Sequence, residues 1–412
     1  MAGTRIEFAH ILRGVAAGTV VLSHLTYLVW RKPEVVGQLI AYPPVSRIIQ
    51  DTEFATIPDF GLPYFWGYFG VALFFLISGF VIPFSVSSLS RSGFAIARLF
   101  RIWPTYLVGL AVALACIAFN SLLAKASFPY SPMEVLINAL IVLRWPTSTR
   151  SIDGIIWTLE IEIFFYVTCA VLMHRIRKFD RRIFLLAVLV APLALVVGWR
   201  GGALIRIGMP IYAVVSWVAT VPVYICFMFC GVALYYHYHD RFSRIGLFAA
   251  QTLLLVVFVT GMRVGVLAEQ GWTAPICFLI AYGVFTLGYA ARERVSALPY
   301  WACRPFYWLA DISYPLYVVH AILGYTIVVH AIEVGVPAWA AVVIAFAAVL
   351  TLATLVHLSV ELPSRTYGKS LADKMRRARA FDAQCDSAAM SRLNIATTSD
   401  TGPKSIIRPS RR

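Results

Sequence analysis

Apolar residues in this 412-residue chain come in long blocks bounded by charge, proline or glycine. Each block has the roughly 20 residues a helix needs to cross a hydrocarbon core about 30 Å thick. Ten such blocks cover residues 6–30, 67–87, 102–123, 152–173, 183–199, 215–236, 244–262, 274–291, 312–332 and 338–358. They predict an all-α, polytopic integral membrane protein with about ten transmembrane helices. A further apolar stretch at 133–145 is too short to cross and is expected to lie at the interface or to re-enter. With 60% hydrophobic and 13% charged residues and a mean hydropathy of +0.77, a soluble enzyme is excluded.

Lysine and arginine set the orientation, because short cytoplasmic segments retain positive charge. The segments after the second, fourth, sixth and eighth blocks carry Arg91, Arg98 and Arg101; Arg175, Arg177, Lys178, Arg181 and Arg182; Arg241 and Arg244; and Arg292, Arg294 and Arg304. The opposite segments carry fewer, and 31–66 also holds Glu34, Asp51, Glu53 and Asp59. Both termini are therefore expected in the cytoplasm. The first block contains Arg13 and His24 with no small-residue cleavage pattern after it, so it is read as a retained helix and not as a secretory signal. Residues 1–367 are expected to form one transmembrane domain. Residues 368–412 are expected to be a basic, disordered cytoplasmic tail drawn to anionic membrane lipid. Positive-inside topology accounts for the net charge of +15 without a nucleic-acid partner. None of the seven cysteines is left in an external loop, and Cys226 and Cys230 lack a histidine or third cysteine at ligand spacing, so neither a disulfide nor a metal is expected.

An ionisable side chain at mid-bilayer costs at least about 2.5 kcal/mol, so each one present needs a reason. Arg13 and His24 lie three turns apart, which places them on one face of the first helix about 16 Å apart along its axis. One helix thus points a fixed cation and a titratable base into the same interior. Packing alone would explain a lone histidine, and Arg13 alone could snorkel; their shared face favours a working pair. In the fourth block, Glu160 and Glu162 are about 200° apart around the helix and cannot both face one cavity. The deeper Glu162 suits proton transfer or an internal salt bridge, for which Arg13 is a candidate. Arg98 and Arg101, at i and i+3, present two guanidinium forks on one face, which suits phosphate and also satisfies the positive-inside rule. Gly67, Gly70, Ser78 and Gly79 in the second block permit close helix approach.

The order of these pieces resembles the acyltransferase 3 family, integral-membrane O-acyltransferases of bacterial surface glycans. The match is carried by Arg13 and His24 with ten residues between them, and by the small-residue and phenylalanine run from Gly67 to Gly79. It continues with Arg98 and Arg101, then Trp157-Thr-Leu-Glu-Ile-Glu162 with Phe165 and Tyr166. Ser313-Tyr314-Pro-Leu-Tyr317 with His320 and Glu361-Leu-Pro363 complete it. The resemblance implies transfer of an acyl group, usually acetyl from acetyl-CoA as co-substrate with no tightly bound cofactor, to a hydroxyl of a glycan or lipid-linked saccharide in the bacterial inner membrane. It further implies His24 as the catalytic residue with Glu162, and Arg13, Arg98 and Arg101 as ligands of the donor's phosphates. Supporting roles fall to Ser78, Trp157, Glu160, Tyr166, Tyr314, His320 and Glu361. Two departures stand out. Ala72 occupies a position often held by aspartate, and Glu160 one often held by serine. A transporter or flippase of acyl groups or glycans is the alternative reading, with Arg13, His24 and Glu162 as its polar pathway.

Overall fold

A computed structural model of the chain describes residues 6–50, 54, 58–190, 192, 196, 209–264 and 271–376. Among the described residues all regular structure is helical, and eight helices are long and apolar enough to cross a membrane. The elements that build the site are α1 (Glu7–Arg31), α2 (Phe65–Ser88), α3 (Arg91–Leu123), α4 (Pro132–Ala139) and α5 (Ile156–Val171). They are followed by α6 (Met209–Tyr238), α7 (Arg244–Val264), α8 (Thr273–Ala290), α9 (Tyr300–Asp311), α10 (Ser313–Glu333) and α11 (Ala338–Arg376).

Eight of the ten expected spans coincide with these long helices. The span expected at 152–173 is α5, which has only 16 residues. The one expected at 183–199 opens in a 3-10 turn, Arg181–Leu185, and much of its remainder lies outside the described residues. Helix α3 starts well before residue 102: Ser90 caps it by accepting the Gly93 N–H at 3.1 Å. Arg98 and Arg101 consequently project from the same long helix that crosses the membrane. At the other end of the chain α11 runs unbroken through residue 367 to Arg376, and residues 377–412 lie outside the described residues.

Helix α1 is the centre of the packing, against α2, α8, α9 and α10, while α2 also contacts α6 and α8, and α10 contacts α3 and α11. Without a hydrophobic driving force between helices in lipid, such contacts rest on close backbone approach. At the α2–α6 crossing a Cβ on Gly79 would stand 1.9 Å from the Met228 carbonyl oxygen, and one on Gly231 would stand 2.5 Å from that of Leu76. Both obstacles are backbone, so neither can rotate away. Gly79→Ala is expected to destabilise the fold by about 3 kcal/mol, the upper end of the overpacking range. A thermal unfolding midpoint equal to wild type in lipid nanodiscs would contradict this packing.

The stretch expected to be interfacial or re-entrant turns inward. Its helix α4 carries a capping box in which Ser131 and Glu134 satisfy each other's backbone N–H groups. The Glu134 carboxyl is held below the usual carboxylate range, first by the Ser131 backbone N–H and then by Arg150. The segment is pinned to α3 by Trp103 Nε1, which donates to the Ala139 carbonyl at 2.9 Å, and by the Tyr106 hydroxyl, which donates to that of Asn138 at 3.1 Å. The turns that follow α4 carry Arg144 and Trp145 to the buried carboxylate of Glu160.

Candidate active site

Two cavities adjoin on one side of α1. The smaller, about 50 Å³, sets the polar groups of Arg13, Ser78, Glu162, Ser313 and Tyr314 among the apolar side chains of Phe74, Phe75 and Leu159. The larger, about 430 Å³, is lined by His24 and by the rings of Tyr64, Tyr68, Trp145, Trp157 and Tyr224. Val71 and Tyr317 belong to both walls, so the two spaces meet at these side chains. Arg13 and His24, three turns apart on α1, thus open into neighbouring cavities.

The polar side chains that line the smaller cavity have defined partners. Arg13 Nε donates to Ser313 Oγ at 2.9 Å. Glu162 Oε1 accepts from Ser78 Oγ at 3.1 Å and from the Tyr166 hydroxyl at 2.5 Å. The Arg13–Glu162 salt bridge that the sequence allowed is therefore not formed, and the two groups act on each other only at longer range. Outside this cavity, Arg98 Nη2 donates to Ser85 Oγ at 2.6 Å, with its guanidinium 5.3 Å from the centres of the Phe94 and Tyr166 rings. The Tyr314 hydroxyl donates to the Ile102 carbonyl at 2.7 Å, tying α10 to α3.

Glu361 lies 2% exposed on α11, hydrogen-bonded to His357 Nδ1 at 2.7 Å and ion-paired with Arg365 at 3.3 Å. It stands within electrostatic reach of Arg13 and Arg101. Four guanidinium groups, Arg13, Arg98, Arg101 and Arg365, so converge on two carboxylates, Glu162 and Glu361. Arg101 makes no direct hydrogen bond or ion pair to any described residue, which leaves its fork available. The cluster carries an excess of positive charge in a low-dielectric setting, an arrangement suited to an anionic ligand.

Glu160 stands apart from this group. It is fully buried and held by a bidentate ion pair with Arg144, Nε–Oε1 at 2.8 Å and Nη2–Oε2 at 2.6 Å, with Trp145 Nε1 donating to the same carboxylate. The two carboxylates of α5 therefore have different partners: Glu160 fastens the segment that carries Arg144, and Glu162 faces the small cavity. Arg144 and Trp145 were missed by the sequence reading, although a lone arginine in an apolar segment is the signal for a buried counter-ion.

His24 begins a π-helical turn, His24–Leu28, within α1, a local widening often found at functional positions. Its Nδ1 is hydrogen-bonded to the Tyr325 hydroxyl, and the His320 ring lies edge-on with centroids 4.7 Å apart. Tyr64, at the mouth of α2, takes a left-handed backbone conformation with φ of 62° and contributes its ring to the larger cavity. Such conformations are costly for a residue with a side chain and cluster at functional sites. Tyr317 is fixed by donating to the Ile155 carbonyl at 2.9 Å and by a 2.5 Å contact with the Thr158 hydroxyl. Trp157 packs against Tyr224 at 5.8 Å. Tyr325, Tyr317, Tyr224 and Arg365 complete the surroundings without having been singled out as site residues from sequence.

The sequence profile of the acyltransferase 3 family, described as an acyltransferase domain, matches residues 6–358. The chain belongs to the acyltransferase 3 family. It is similar to Nodulation protein 10 of Rhizobium leguminosarum bv. viciae, 25% identical over 277 residues that cover 63% of this chain and 72% of that protein. No solved structure matches. With its long apolar helices, the chain is a multi-pass membrane acyltransferase.

Proposed function

We propose that the protein transfers an acyl group, acetyl in the simplest case, from acyl-CoA to a hydroxyl of a membrane-associated glycan or lipid-linked saccharide in the bacterial inner membrane. The observation that carries this reading is the junction at Val71 and Tyr317 of a pocket lined by Arg13 and Glu162 and an aromatic-lined cavity, with His24 on the aromatic side. Coenzyme A is an anion whose phosphates suit the Arg13, Arg98 and Arg101 cluster, Arg101 above all. A saccharide presents apolar ring faces and hydroxyls, which aromatic walls with convergent polar groups accommodate.

The chemistry asked of the residues is modest. The acceptor hydroxyl attacks the thioester carbonyl while its proton moves to His24 Nε2. For Nε2 to be the base, Nδ1 must carry the hydrogen and donate to the Tyr325 oxygen, so Tyr325 selects the working tautomer. Collapse of the tetrahedral species breaks the carbon–sulfur bond, and the proton passes from His24 to the leaving sulfur. Glu162, with Ser78 and Tyr166 fixing its orientation, balances the arginines beside the thioester.

Arg101→Ala is expected to raise the KM for acyl-CoA roughly 10- to 100-fold while kcat changes little, since hydrogen bonds to charged groups contribute about 1.5–3 kcal/mol. Initial-rate kinetics on the purified protein in lipid would check it. An unchanged KM would remove the phosphate assignment.

A further inference from the structure

The surroundings of His24 contain a group that no hydrogen bond accounts for. His320, on α10, is fully buried. Its Nδ1 lies 2.8 Å from the Tyr317 carbonyl and 3.2 Å from that of Leu316. Carbonyl oxygens only accept, so Nδ1 carries the hydrogen and the neutral ring presents a lone pair at Nε2. That Nε2 is buried and makes no hydrogen bond. A buried acceptor without a donor costs free energy, and this one adjoins the ring of His24. The His24 ring lies beside it, with centroids 4.7 Å and planes 87° apart.

The groups facing His24 make the orphan intelligible. From α10 come His320, Tyr325 and Tyr317; from α2 and the residue before it, Tyr68 and Tyr64; from α6, Tyr224. Among the described residues lining this cavity none is Asp, Glu, Lys or Arg. When His24 takes the proton of the acceptor hydroxyl it becomes a cation with no carboxylate partner, unlike the histidine of a hydrolase triad. The oxygen of Tyr325 serves Nδ1. The remaining electron-rich group in contact with the ring is His320.

Resting on the acyl-transfer reading above, we infer that His320 is a positioning residue that supports the protonated state of His24 through the lone pair of its buried Nε2. His320 exchanges no proton itself. The acceptor O–H bond breaks as the oxygen–carbon bond forms, His24 Nε2 holds the proton, and the same proton leaves on the thiol when the carbon–sulfur bond breaks. His320 acts on the interval between these events, when the positive charge stands on His24 in a low-dielectric site. Its own helix backbone fixes the tautomer that this requires.

The test uses full-length protein in nanodiscs with 15N-labelled histidine, comparing wild type with His320→Phe and His320→Gln. In wild type the His320 signals should show hydrogen on Nδ1 and a bare Nε2. In His320→Phe the His24 titration midpoint should fall by about one pH unit, with kcat down by up to about tenfold and the KM for acyl-CoA unchanged. Because the neutral form of His24 is the base, the acid limb of the rate profile should move to lower pH by the same amount. His320→Gln, whose amide oxygen is again an acceptor, should recover part of both shifts. A folded His320→Phe with an unmoved His24 titration would overturn the inference. So would a wild-type spectrum with hydrogen on His320 Nε2, a reading available even if His320→Phe does not fold. The titrations need no substrate, so a protein that transfers no acyl group would refute the proposed reaction while leaving these signals to judge His320 separately.

Discussion

Glu160→Ala should abolish the folded protein in detergent or lower its unfolding midpoint drastically, a larger loss than any other single substitution at the site. Glu160 is fully buried, its partner Arg144 has a side chain only 12% exposed, and the pair is bidentate. Removing one member leaves an uncompensated charge, which costs about 3–5 kcal/mol. The pair also holds the segment after α4 against α5, so Trp145 should leave the wall of the larger cavity when it breaks. The matched replacement Arg144→Met with Glu160→Leu removes both charges and should restore most of the stability. Glu162→Gln should behave differently, keeping hydrogen bonds from Ser78 and Tyr166 and unfolding within about 1 kcal/mol of wild type, while turnover falls. Thermal unfolding in nanodiscs across these variants checks the assignment. Equal destabilisation by Glu160→Ala and Glu162→Gln would mean that the two carboxylates do not have separate tasks.

His24→Ala should lower turnover by about 10²- to 10⁴-fold, the range expected when a positioned general base is removed. Donor affinity should survive, because none of Arg13, Arg98 and Arg101 lines the cavity that His24 lines. His24→Gln offers the control: its side chain can still meet the Tyr325 hydroxyl but cannot accept and return a proton at neutral pH. Steady-state kinetics and equilibrium binding of acyl-CoA should therefore separate, with both variants binding donor and neither turning it over. A His24→Gln variant with wild-type kcat would remove the histidine from the chemistry.

Much of this architecture was legible in the sequence for one physical reason: a bilayer demands helices of a set length, and the apolar blocks show it directly. Where one element runs on beyond its apolar core, as α3 does from Arg91 and α11 does to Arg376, hydropathy underestimates the helix because charged turns outside the hydrocarbon remain helical. The common face of Arg13 and His24 followed from helix periodicity alone. The divergence of Glu160 and Glu162 was readable as an angle, but the partner of Glu160 was not. Arg144 sits on another element 16 residues away, in a segment whose inward turn depends on Trp103 and Tyr106 of α3. The carboxylate of Glu162 and the guanidinium of Arg13 looked like natural partners, yet Ser78, Tyr166 and Ser313 hold them apart. Tyr325 and the orphan nitrogen of His320 were beyond sequence reasoning, since both depend on how α1 and α10 cross.

The most direct test of acyl transfer through the paired cavities is coenzyme A release by purified protein in lipid nanodiscs, supplied with acetyl-CoA and extracted cell-envelope glycan. The account predicts free thiol released only when both substrates are present, in step with acyl groups appearing on glycan hydroxyls, and lost in His24→Ala. Folded wild-type protein that binds acetyl-CoA yet releases no thiol with any glycan fraction would contradict it.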